Sequence, residues 1–369
     1  MIQSSPTTIY LLFAAILLFA CSRTKDSTTT NSSHPTSEYY TADDFLHMQK
    51  FDSHIHLNTE QTYFIDQAAN DNLRFLVIVD DRPFGITMED QQKIARKQLK
   101  AFPDRIAYAT TFSVDNFDNA AWQEETLSYL KDSFSKGAIA VKVWKNIGMD
   151  LRDKTGKFVM IDDPRLDPIL SYLASNNVPL IGHLGEPREC WLPLDQMVLH
   201  KGYYSSHPEY HMYLHPEFPS YEDQINARDH MLEKHPDLKF IGAHLGSLEW
   251  SLEELAKRLD KYPNMAVDLA RMSDLNLHAM NNREATRNFF IQYQDRLLYA
   301  TDVQVRETDN PEAMNESMHE ARMRFWKFYT TDEEFTFQPT GGTYRGLKLP
   351  REVVDKIYRK NAETWLGVR

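Results

Sequence analysis

Eight short apolar runs, alternating with segments of helical periodicity, leave this sequence very few architectures to adopt. The runs are Phe51–His56, Arg74–Asp80 (RFLVIVD), Arg105–Phe112 (RIAYATTF), Ala138–Trp144 (AIAVKVW), Val178–Gly182, Leu238–Ala243, Met265–Asp268 and Arg296–Thr301. Continuous runs of this length are what strands buried on both faces look like. Between them, Asp90–Phe102, Phe117–Lys136, Pro164–Asn176, Tyr221–Lys234, Ser247–Lys261 and Arg283–Gln294 read as helices, and Glu60–Asn72 has helical character. Gly137 closes the second of these as a C-terminal stop, and Pro350–Leu366 is the final helix. Strand–helix alternation implies a parallel sheet, and eight repeats predict a closed (β/α)8, TIM-like barrel. An open doubly wound sheet is the alternative, but it should carry a glycine-rich phosphate turn. No GxGxxG is present, and Leu151 stands where a phosphate loop ending in Gly156-Lys157 requires glycine.

The residues that finish the runs carry the chemistry. In such barrels the active site forms at the C-terminal ends of the strands. His54 and His56 stand two apart, so on a strand both imidazoles share a face and make half of a zinc-type site. Lys142 lies late in the fourth run, His183 ends the fifth, His244 the sixth and Asp302 the eighth. Singly, each has a structural explanation: a histidine before Leu-Gly can cap a strand, and a Thr-Asp pair can start a turn. Together at one rim they point to a site that binds metal or moves protons.

With Asp52-x-His54-x-His56, His183 in IGHLGEP, His244 in IGAHLGS, Asp302 in LLYATD and the closing NAETWLG, the sequence resembles the amidohydrolase superfamily. Within it, the likeness is to the amidohydrolase-related branch of aminocarboxymuconate-semialdehyde decarboxylase-like enzymes and lactonases. It spans about residues 48–302 plus the C-terminal helix. The resemblance implies a metal-dependent hydrolase barrel that is somewhat distorted and holds one divalent metal, commonly zinc, with manganese as the alternative. It makes His54, His56, His183 and Asp302 the ligands, and His244 a catalytic residue beside them. In other branches a fourth-strand lysine is carboxylated and bridges two metals, so a second metal is expected only if Lys142 is carboxylated. Otherwise Lys142 holds a substrate anion or a neighbouring charge. A metal there would activate water, Asp302 would take its proton, and His244 would polarise a carbonyl or protonate the leaving oxygen.

The loops after the strands supply cations, Lys145, Arg188, Arg271 and Arg306, whose convergence would suit a carboxylate-bearing substrate. An insertion over 188–220 is dense in Pro, Tyr and His; its length suggests a lid or an interface, and its histidines read mostly as loop packing. The extension over 303–369 is too long for a connection and is expected to pack over the last strand, shaping a pocket wall.

A net charge of −12 argues against a nucleic-acid surface, and two cysteines make neither a metal framework nor a disulfide scaffold. One of the two, Cys21, follows the apolar run Ile9–Ala20 in Leu18-Phe19-Ala20-Cys21, which resembles a lipoprotein cleavage box. A plain secretory signal or uncleaved anchor is the alternative. Residues 1–20 are thus expected to be a lipoprotein-type signal peptide, Cys21 the lipidation site, and 21–38 a Ser/Thr-rich tether, with the barrel over 39–369 outside the cytoplasm on a membrane. The expected partners are a small-molecule substrate and that membrane; a homo-oligomer is left open. The expected activity is hydrolysis of an ester, lactone or amide, with decarboxylation of an unsaturated acid as the alternative on the same residues. A non-catalytic ligand-binding lipoprotein is the alternative of another class. Neither HExxH nor GxSxG occurs, which speaks against a protease.

Overall fold

The runs of apolar residues form strands wherever the sequence places them, with one exception that shapes the site. The computed structural model describes residues 37–82 and 85–368; Cys21, the apolar run before it and the tether to residue 36 lie outside them. The strands are β1 (Lys50–Asn58), β2 (Leu73–Ile78), β3 (Ile106–Thr110), β4 (Ala138–Val143), β5 (Leu180–Gly182), β6 (Phe240–Gly242), β7 (Met265–Asp268), β8 (Leu297–Leu298) and β9 (Val303–Arg306). They lie in the order β8-β7-β6-β5-β4-β3-β2-β1-β9, and each pairing is parallel.

The exception is the eighth strand. The expected run Arg296–Thr301 is a strand only at Leu297–Leu298, and the chain resumes as β9 after Asp302. Two half-strands therefore fill one position: β8 pairs with β7 and β9 with β1. The break has a cause in hydrogen bonding. The Tyr299 N–H donates to the Ile357 carbonyl of the C-terminal helix (2.9 Å), and its carbonyl accepts from Ser53 N–H (2.9 Å) and Oγ (2.8 Å). Asp302 then turns through the left-handed region at φ 56° and donates its N–H to the His54 carbonyl (2.9 Å). These bonds close the barrel across the break.

Inside the barrel, Phe51, Leu76, Ile78, Ala109, Ala140, Ile181, Ile241, Ala266 and Leu298 pack into one apolar cluster. Ala362, Trp365, Leu366 and Val368 of the C-terminal segment join it and plug the end where the strands begin. Strand side chains alternate faces, so two residues beyond these inward positions the inward face comes round again. Ile78 leads to Asp80, Ala140 to Lys142, Ile181 to His183 and Ala266 to Asp268. The same alternation that fills the barrel with methyl groups thus ends in polar groups at the opposite rim. In β1 the register shifts between Asp52 and Ile55. That irregularity moves the inward face from Phe51 to His54 and His56.

The outer layer is helical. Met272–Gln292 begins earlier than its pattern suggested and bends at Asn282 (φ −157°, ψ 87°). Pro311–Thr330, in the extension, lays Phe325 edge-on against Tyr299 at 5.5 Å between ring centres. It therefore packs over the last strand as expected. The insertion is a string of short helical turns with a small core of its own, in which Cys190, Met197, Tyr204 and Met212 meet Met149. Among the described residues, no helix is long and apolar enough to cross a membrane.

Candidate metal centre and active-site cavity

His54 and His56 point their Nε2 atoms at the same carboxylate oxygen. Asp302 Oδ1 lies 3.3 Å from His54 Nε2 and 3.2 Å from His56 Nε2. Two donors bound tetrahedrally at the usual zinc distance of about 2.0–2.1 Å are about 3.3–3.4 Å apart. Among the described residues, these three form the one group of His, Cys, Asp or Glu with donor atoms close enough to share an ion, all within 4.8 Å.

The other side of each ring is held by a carboxylate. His54 Nδ1 meets Asp268 Oδ2 at 2.7 Å, and His56 Nδ1 faces Asp80 Oδ2 at 3.2 Å. For His54 the bond to Asp268 holds the proton on Nδ1 and leaves Nε2 as the lone-pair donor, the tautomer a metal ligand needs, while Asp80 stands beside His56 Nδ1 as an ion-pair neighbour without a hydrogen bond. Arg82 Nε in turn pairs with Asp80 at 3.1 Å. On this chemistry the residues fit a divalent ion.

Asp268 also accepts the His244 N–H on its second oxygen (2.8 Å), which braces the turn after β6. His244, Leu245 and Ser247 all sit at left-handed φ (56°, 58° and 56°). Non-glycine residues held there cost on the order of 1–3 kcal/mol each, so the turn persists because its surroundings enforce it. The reward is position: His244 Nε2 approaches Asp302 Oδ2 at 3.6 Å. The two oxygens of Asp302 thus divide, one to the histidine pair and one to His244. Burial pushes His244 down to about 4, against the opposing pull of Asp302 and Asp268. Burial likewise holds His183 well below its ordinary value, helped by neighbouring His244 and two lysines. Both rings are therefore neutral at physiological pH. Burial would raise Asp302, but His54 and His244 overcome it and keep the carboxylate ionised.

The remaining expected residues divide. His183 lines the cavity with its ring 4.5 Å from that of His244, outside the three-donor group. Lys142 is buried and does not line the cavity; its Nζ lies 3.3 Å from His54 Nε2, and burial lowers its pKa. Arg271 lines the cavity. Two expectations need correcting: Arg188 and Arg306 do not line it. The Arg188 guanidinium lies over the Trp250 ring, 4.1 Å from its centre, and Arg306 ends β9 exposed, bonded to Gln304 at 2.8 Å. Lys145, the other expected loop cation, does line it, in contact with Glu186.

The cavity holds about 280 Å³ and is also lined by Tyr203, Tyr204, His200 and Glu249. The insertion's histidines are mostly loop packing, as expected, and His200 is the exception. His207, His211 and His215 do bond backbone carbonyls within the insertion, whereas His200 faces the cavity. Glu249 is 3% exposed, and burial raises its carboxyl to about 7 against the pull of Arg271. Asp80 and Asp268 were not singled out from the sequence, although each ends an apolar run in an inward position and could have been found by that alternation. Glu249 and His200 had no comparable signal, since loops have no period.

A family model described as amidohydrolase matches residues 122–368. No curated protein matches the chain. Among solved structures, a TIM-barrel protein from Bordetella bronchiseptica is similar at 15% identity and a TM-score of 0.52, covering 87% of this chain and 99% of its own. A 2,6-dihydroxybenzoate decarboxylase from Rhizobium is similar at 15% identity and a TM-score of 0.50, with the same coverage of 87% and 99%. At such identity the likeness concerns the fold, and it agrees with the barrel described above. The family match spans β4 to β9 and the C-terminal helix, including Lys142, His183, His244, Asp268 and Asp302, and on it this chain belongs to the amidohydrolase family.

Proposed function

We propose that the chain is a metal-dependent hydrolase that cleaves an ester, lactone or amide of a small carboxylate-bearing substrate. The observation carrying this reading is the convergence of His54 and His56 on one oxygen of Asp302, each ring backed by its own carboxylate. His54, His56 and Asp302 would hold the ion, with zinc the first expectation and manganese the second. Bound there, a divalent ion supplies a Lewis acid that polarises a carbonyl and acidifies a water. The chain's own residues do the rest. Asp302 Oδ2, facing His244, is placed to take a proton and hand it to the neutral imidazole. His244 can then deliver that proton to the leaving atom. Arg271 and Lys145 offer donors to a substrate carboxylate at the cavity wall.

Decarboxylation of an unsaturated acid is the second reading. Two neutral imidazoles, His183 and His244, in contact above Asp302 offer a proton relay that a carbon centre can use as readily as an oxygen. Metal analysis of the purified chain tests the common part: about one divalent ion per chain is expected, lost on joint His54→Ala and His56→Ala substitution. A wild-type chain that takes up no metal on supplementation would sink both readings. Incubation with lactones, esters and unsaturated acids then separates them by acid release or carbon dioxide release.

The chain is further proposed to work outside the cytoplasm, anchored through Cys21. In cells fed a labelled fatty acid the chain should take up label, and Cys21→Ala should not. Equal labelling of the two would dismiss the anchor.

A further inference from the structure

Arg271 is held from two directions, and one of them is the insertion. Its Nε pairs with Asp274 at 2.9 Å, and one Nη2 N–H donates to His200 Nε2 at 2.8 Å. A guanidinium has five N–H donors; the one toward His200 makes a hydrogen bond, while Asp274 is an ion-pair neighbour that leaves the Nε N–H unbonded, so donors remain. They belong to a side chain that lines the same cavity as His183, His244 and Asp302.

His200 is itself fixed. Its Nδ1 lies 2.8 Å from Glu189 Oε2, so Nδ1 carries the proton and Nε2 accepts from Arg271. Glu189 is anchored in turn by three consecutive backbone N–H groups, those of Val198 (2.7 Å), Leu199 (3.1 Å) and His200 (2.8 Å). Burial pushes the Glu189 carboxyl up, but the bonds from His200 and the backbone outweigh it and bring it down to about 2. It therefore stays charged and keeps its grip at any physiological pH.

The arrangement also makes a wall. Arg271 and His200 line both the active-site cavity and a second cavity of about 420 Å³ beside Thr301 and Phe325. Without His200, nothing on the insertion holds the guanidinium on the active-site side of that wall. A planar guanidinium lining the cavity suits a carboxylate, which it can bind through two parallel bonds. Lys145, already in contact with Glu186, offers only a point charge.

We propose that Glu189 and His200, from the insertion, are positioning residues that set the Arg271 guanidinium as the anchor for the substrate's carboxylate. This rests on the carboxylate-bearing substrate proposed above. The insertion thus selects the substrate class, while the strand ends carry the reaction.

The test uses the metal-loaded full chain and benzoate as probe, with benzamide as the uncharged control, both followed by titration calorimetry. Wild type should bind benzoate and prefer it to benzamide. Arg271→Met should abolish that preference, and His200→Leu should weaken benzoate binding on the order of 10-fold. His200→Gln, which keeps one donor and one acceptor, should recover most of the loss, a rescue that a merely space-filling role would not give. Benzoate affinity unchanged in either Arg271→Met or His200→Leu overturns the proposal, as does no benzoate binding by wild type. Metal content is measured on the same samples. Full metal with benzoate binding indifferent to Arg271 refutes the anchor and leaves the proposed function standing. Arg271-dependent binding in a chain without metal does the reverse.

Discussion

At the scale of single residues, the site depends on carboxylates one step removed from the donor atoms. Asp268 bonds His54 Nδ1 with one oxygen and the His244 N–H with the other, so one side chain orients a member of the three-donor group and the turn that carries His244. Asp268→Asn keeps the size but can offer only one acceptor oxygen. Metal affinity should fall by about 10–100-fold, read by competition with a chelating dye, with the fold retained. Unchanged affinity would show that His54 needs no help in choosing its tautomer. Glu249 gives a prediction of a different kind. Burial raises it to about 7 from an ordinary 4.5. Between those values the folded chain holds a proton that the unfolded chain has released. Stability therefore falls as pH rises through that window. Glu249→Gln removes the effect. Denaturant midpoints taken from about pH 5 to about pH 8 should decline more in wild type than in the variant. Parallel curves would remove the buried acid from the account.

At the scale of elements, the two-residue alternation of the strands explains what could be read in advance. Each inward apolar residue of β2, β4, β5 and β7 points two positions on to Asp80, Lys142, His183 or Asp268, so the strand ends were legible as a rim. The number of strands was legible for the same reason. The break in the eighth strand was not, because RLLYATD is as apolar as any continuous strand. What interrupts it is a distant partner, the Ile357 carbonyl that takes the Tyr299 N–H. Nor could loop positions be ranked: Arg188 and Lys145 both follow strands, and only packing turned one onto Trp250 and the other into the cavity. The broken strand is held by Asp52, which accepts from Thr301 N–H (3.1 Å) and Oγ1 (2.6 Å) as well as from the His54 N–H (3.1 Å). Thr301→Val keeps the shape and deletes the hydroxyl bond, leaving a buried carboxyl short of a donor. The cost should be about 1–3 kcal/mol in denaturant unfolding. Metal affinity should fall as well, because the next residue is Asp302. A stability loss without any change in metal affinity would mean that Asp302 is positioned independently of this anchor.

At the scale of the whole molecule, the barrel assigns opposite tasks to its two ends. The end where strands begin is closed by Trp365 and its neighbours against the inward ring of Leu, Ile and Ala. The end where they finish carries the histidines, carboxylates and Lys142. Burying ionisable groups is unfavourable, and at the rim His54, His244 and Asp302 offset it by facing one another and Asp268. Left-handed turns at His244 and Asp302 add strain at that same end. Stability has to come from elsewhere, and the apolar end is where the interior offers it. Trp365 is 7% exposed, and its Nε1 donates to the Asp295 carbonyl at 3.0 Å. Trp365→Ala opens a large void and removes that bond, so it should cost about 3–5 kcal/mol. If the two ends are separate in function, the variant that remains folded at low temperature should bind metal as wild type does. Thermal unfolding and metal titration on the same sample decide the matter. Metal affinity falling together with stability would mean that strain at the rim is balanced directly by packing at the plug, through the strands that connect them.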